Sequence, residues 1–142
     1  MPLSIITTIN GKSIVSQTPG YLMNPRALSQ RELELTDWLL RHGISDAGMF
    51  LPQVPQLKVV VHCQCGCASI NFSVAEQRPG KSAMRLLSDY RWRDPEGHLF
   101  GISVFEQDAL SAGLEVWSID GIATPMTPPV AESLEPFGTV RG

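Results

Sequence analysis

The chain has 142 residues, the size of one domain, with 43% apolar and 18% charged residues and a formal net charge of −3. This composition excludes wholesale disorder, and the acidic balance argues against nucleic acid as a partner. No stretch approaches the roughly 18 consecutive apolar residues that a membrane-spanning helix needs, so no membrane role is expected.

Residues 1–24 read as an extension ahead of a single domain over residues 25–142. Ile5-Ile6-Thr7-Thr8-Ile9 is β-prone, Asn10-Gly11 is a strong two-residue hairpin signal, and Ser13-Ile14-Val15 supplies a returning strand. Ser16 to Pro25, with Pro19-Gly20 and Asn24-Pro25, reads as a linker. The first residues lack the basic start and long apolar run of an export signal. The three cysteines are an odd number, which leaves one thiol outside any disulfide within the chain. Both features point to a reducing, cytoplasmic setting.

The best-specified element follows. Ser29-Gln30-Arg31-Glu32 has the form of a capping box, in which serine and glutamate satisfy backbone N–H groups that the first helical turn leaves unpaired. Leu33, Leu35, Trp38, Leu39 and Leu40 give this helix an apolar side. Arg41 and His42 suit its negative end, and Gly43 is placed at a left-handed position just past it. A second, short helix is expected from about Asp46 to Leu51, capped by Ser45 and stopped by Pro52 and Pro55.

The remainder reads as an antiparallel meander. If Cys63 lies opposite Ala68, then Val59, Val61, Cys63, Ala68, Ile70 and Phe72 share one face, and Gln64-Cys65-Gly66-Cys67 makes the turn. A third strand is expected from about Ala83 to Arg93, followed by the turn Asp94-Pro95-Glu96-Gly97. Strands near Leu99–Glu106 and Leu114–Ile119 flank a loop from Gln107 to Gly113. A proline-rich tail with a helical turn near Val130–Leu134 then crosses the surface. The last strands are apolar on both sides: Phe105, Trp117 and Ile119 on one, Ile102, Val104, Leu114 and Val116 on the other. Their second face needs a cover: the tail, another copy of the chain, or a partner.

His62, Cys63, Cys65 and Cys67 are the candidate metal ligands, because thiolate and imidazole suit zinc. Their spacing lacks the paired Cys-x-x-Cys knuckles of structural zinc sites, and the competing reading makes Cys63 a small core residue and the other two turn thiols. A redox couple between Cys65 and Cys67 would close a small ring. A cysteine nucleophile would need His42 or His98 as its base. Tyr90-Arg91-Trp92-Arg93 alternates aromatics and bases, which on a strand places two aromatics on one face and two solvated arginines on the other. Glu106, Asp108, Glu115 and Asp120 lack the spacing of a calcium loop and read as an acidic rim. Gly11-Lys12-Ser13 lacks the rest of a phosphate loop. No residue set is assigned to catalysis or to a cofactor.

Several of these segments together carry a resemblance: Trp38-Leu39-Leu40-Arg41-His42-Gly43, Phe50-Leu51-Pro52-Gln53, Val59 to Ile70 with its Cys-x-Cys-Gly-Cys turn, and Gly113-Leu114-Glu115-Val116-Trp117-Ser118-Ile119-Asp120-Gly121. From Arg31 onward the chain resembles a group of small uncharacterised bacterial proteins, to which no activity is assigned. Where those proteins often carry proline after the third cysteine, Ala68 stands here. The final strand pair is also similar to those of some bacterial immunity proteins, which bind toxins. The expected fold is therefore α+β: a four- to five-stranded antiparallel meander with one longer and one short helix on one face. The expected function is a non-catalytic interaction or regulatory module that binds a protein partner or self-associates. The alternatives are a zinc protein or enzyme centred on the cysteine turn, and a toxin-binding immunity protein.

Overall fold

A computed structural model describes residues 4–9, 12–17, 21–63, 66–80 and 82–137. Strands β1 (Ser4–Ile9) and β2 (Lys12–Gln17) pair antiparallel, Ile6 opposite Val15, as a two-stranded sheet of their own. Asn10-Gly11 and Pro19-Gly20 lie outside the described residues. The main body is a seven-stranded antiparallel sheet, so the expected strand number was too low. Its strands are β3 (Tyr21–Arg26), β4 (Leu57–His62), β5 (Ile70–Val74), β6 (Arg85–Arg93), β7 (Leu99–Gln107), β8 (Leu110–Ser118) and β9 (Glu135–Pro136). They lie in the order β3-β4-β5-β8-β7-β6-β9. The additional strands are the two edges. Strand β3 occupies part of the segment read as linker, and its Pro25, which cannot donate to a ladder, is tolerated because the strand is an edge.

The α-helix α1 (Gln30–Arg41) begins where the capping box requires. Ser29 Oγ accepts from Glu32 N–H at 3.1 Å, and Glu32 Oε1 accepts from Ser29 N–H at 2.8 Å. Ser29→Ala should therefore lower the unfolding free energy by about 1 kcal/mol. An unchanged urea midpoint would show that the reciprocal Glu32 bond suffices alone. Leu35, Leu39 and Leu40 are buried, with Leu33 and Trp38 partly so. Gly43 is not left-handed as expected. The helix ends on His42, whose N–H reaches back to Leu39 and Trp38, and Gly43 is needed instead for a close approach. A Cβ there would strike the carbonyl oxygen of Leu87.

The short second helix is a 3-10 segment, Ala47–Gln56, capped by no side chain and running through both prolines. Proline's fixed φ near −65° fits 3-10 geometry, so Pro52 and Pro55 shape the segment rather than stopping it. Helix α1 meets β6 and β7, and the 3-10 segment meets β5 and β8. Between these layers lies a core that includes Val59, Ile70, Phe72, Leu87, Ile102 and Val104.

The β4–β5 pairing follows the expected register at its open end, with Leu57 opposite Val74 and Val59 opposite Phe72. A bulge between Val59 and Val61 then shifts it by one, so that Val61 faces Asn71 and His62 faces Ile70. The expected six-residue apolar face is thereby split: one extra residue re-aims every side chain beyond it. The Asp94–Gly97 turn forms as read, with Gly97 N–H bonded to Asp94 O at 2.9 Å. The expected Gln107–Gly113 loop is instead a two-residue turn, Asp108-Ala109, with φ of 54° and 64°. Such a turn needs positive φ at both central positions and usually signals itself with asparagine or glycine. Ala109→Gly should stabilise the protein by about 0.5–1 kcal/mol, because glycine adopts this conformation without a steric penalty. A lower melting temperature would sink that expectation.

The tail wraps the body. Pro125 O accepts from Ala68 N–H at 2.8 Å, and Pro128 O accepts from Arg31 at 3.1 Å. A 3-10 turn, Ala131–Ser133, stands where a helical turn was expected, and β9 then pairs with Tyr90 and Arg91 of β6. Among the described residues, no helix is long and apolar enough to cross a membrane.

Candidate functional site

Antiparallel pairing places opposed residues on the same face, so the register identifies what the sheet presents away from α1. One row there runs across five strands: Leu86, Phe105, Gly113, Asn71 and Val61. A second contains Asp89, Ser103 and Glu115, and a third Arg91, Gly101 and Trp117. Gly101 must lack a side chain, because a Cβ would enter the Trp117 ring that lies over it. Trp117 stacks on Phe137 of the tail, with centroids 6.0 Å apart and planes 6° from parallel. The apolar second face anticipated for these strands is thus partly covered by the tail.

The rest of this face is open. A cavity of about 510 Å³ is lined by Val61, Cys63, Cys67, Ser69, Asn71, Met84, Phe105 and Glu115, with parts of Ile70, Leu114 and Val116. Met84 at 49%, Leu86 at 44% and Ile119 at 37% remain exposed, which is high for side chains of this size and type. Nearby, the Oδ1 of Asp89 is buried and accepts no hydrogen bond among the described residues, and burial raises its carboxyl pKa. Arg91 Nε stands 3.5 Å from Glu135 Oε1.

The bulge exchanges the faces that His62 and Cys63 take, two neighbours that alternation already sets apart. Cys63 is half-buried, lines this cavity and is disulfide-bonded, rather than sitting in the helix-side core as expected. Cys67 lines the same cavity, and Cys65 lies outside the described residues. His62 instead accepts a hydrogen bond at Nε2 from Arg26 Nε at 3.1 Å. Arg26 also grips Glu32 through two bonds of 2.9 Å. Burial, then the charge of Arg26, lowers the His62 pKa from its ordinary 6.5. The network joins β3, β4 and α1, and sequence reading missed it because Arg26 stood between the presumed linker and the helix, in a stretch assigned to no element.

The other candidates disperse. His42 stacks on Trp38 at 4.0 Å, and Tyr90 meets Trp38 edge-on while donating to His42 O at 2.7 Å. Glu106 accepts from Arg85 at 3.0 Å, Asp108 from Gly80 N–H at 2.6 Å, and Asp120 from the N–H groups of Leu99 and Ile122 at 3.0 Å each. Those two N–H groups lower the Asp120 pKa. Among the described residues, Asp94, Glu96 and His98 bring ligand atoms within 4.8 Å of one another. Asp94 Oδ1 already accepts from Glu96 N–H and His98 N–H, which is the work of a turn residue. Comparison with protein-family models, curated proteins and solved structures finds no match for this chain.

Proposed function

We propose that the chain is a non-catalytic protein-binding module whose contact surface is the sheet face opposite α1. The observation that carries this reading is the exposure of Met84 and Leu86 at the cavity that Phe105 lines. Contiguous exposed apolar surface of this kind is costly in water unless something covers it. The engagements of the three histidines also favour binding over catalysis: His62 with Arg26, His42 with Trp38, and His98 beside Glu96 and Asp120. A toxin-binding immunity protein would be one instance of such a module. The zinc reading has less support, since a disulfide sulfur is not the thiolate a metal requires and His62 is turned to Arg26.

A photo-crosslinking amino acid placed at Leu86 tests this in cells, with Glu34 on the exposed side of α1 as control. The expected result is a discrete adduct from Leu86 alone that disappears with Met84→Asp. Its mass distinguishes a second copy from a different partner. Equal adducts at both positions, or none at Leu86, would remove the support for this face.

A further inference from the structure

We propose that a second cavity, between the start of α1, the end of β6 and the proline-rich tail, binds a small apolar carboxylate. It measures about 560 Å³, within the usual range of small-molecule sites, and its walls include Trp92, Pro128, Pro129 and Val130. Two arginines, Arg31 and Arg93, also line it. Arg26, Arg41, Arg85 and Arg91 each meet a carboxylate within 4.0 Å. Arg31 and Arg93 have no such partner among the described residues. Arg31 Nη1 donates to Pro128 O at 3.1 Å, and Arg93 Nη1 donates to Gly97 O at 2.7 Å. A guanidinium has five N–H donors, so each keeps most of its fork available.

The one acid on the cavity wall, Asp94, directs Oδ1 into its own turn, at 3.0 Å from Glu96 N and 2.8 Å from His98 N. The site is therefore locally cationic in a chain whose formal charge is −3. A guanidinium fork matches the planar, two-oxygen geometry of a carboxylate better than a neutral polar group does. The indole and proline walls suit a flat apolar body beside that charge. This site lies apart from the proposed contact face and does not depend on it.

Naphthoate is a suitable probe, with neutral naphthol as its control, followed by NMR on the intact chain. Naphthoate should give saturable shifts at the Trp92 indole N–H and at the Nε–H of Arg31 and Arg93. Naphthol should bind at least about ten-fold more weakly, the loss expected for a charge-assisted hydrogen bond. The double change Arg31→Gln, Arg93→Gln should weaken naphthoate by a similar factor while leaving the unfolding midpoint in place. Equal binding of the two probes to the unmodified chain would overturn the proposal whether or not the variant folds. Saturable shifts absent from these three groups at millimolar naphthoate would do the same.

Discussion

Gly43→Ala should lower the unfolding free energy by about 3 kcal/mol, the upper end of what forced overpacking usually costs. The methyl group would be directed at the carbonyl oxygen of Leu87, with Ala47 Cβ at 2.9 Å and Ser88 Cβ at 3.0 Å beside it. Two of these obstacles are the first carbons of short side chains and the third is backbone, so none can swing aside. The Leu87 carbonyl is also the acceptor for Ile44 N–H at 2.9 Å, the bond that ties the loop after α1 to the outer edge of β6. Making room for the methyl group means breaking that tie and loosening Leu87, which is fully buried. A urea midpoint near that of the unmodified chain would mean that the loop lifts away at little cost. Faster amide exchange at Ile44 would separate that outcome from an intact contact.

The elements that were legible in the sequence are those whose signals are local. The capping box depends on two residues three positions apart, and Asp94-Pro95-Glu96-Gly97 encodes its turn within four. The register from Leu57 to Val59 followed from alternation alone. Strand β3 was hidden because Asn24-Pro25 is turn-like, and its place at the edge of the sheet is a tertiary fact. The β7–β8 turn was hidden because Asp108-Ala109 adopts positive φ without the glycine that announces it. The candidate face was legible as a second apolar side, but its composition was not. The bulge before Val61 decides that Cys63 joins Phe105 while His62 joins Arg26, and nothing in the alternation of residues 57–63 marks it.

That last network supports the second large effect. Glu32→Ala should cost about 2 kcal/mol, less than the full loss expected on breaking a buried ion pair, because the Arg26 side chain is 36% exposed and screened by water. Three things are lost together: both bonds to Arg26, the acceptor for Ser29 N–H, and the charge that offsets Arg26 beside His62. Burial works to raise the Glu32 carboxyl, but the hydrogen bonds from Arg26 and Ser29 outweigh it and hold the pKa below its ordinary 4.5. A carboxyl depressed in this way contributes stability that is fully present above its unfolded value and disappears as pH falls through the folded one. The stability gap between the unmodified chain and Glu32→Gln, measured by urea unfolding, should therefore be constant above about pH 5 and narrow below pH 4.5. His62 acts in the same direction over a higher window. Its lowered pKa makes the unfolded chain the stronger proton binder, so stability should decline as pH drops below 6.5, and His62→Gln should remove that decline. A gap for Glu32→Gln that stays flat to pH 3 would show that neither the Arg26 pair nor the bonds to Ser29 favour the ionised Glu32 carboxyl over its neutral form.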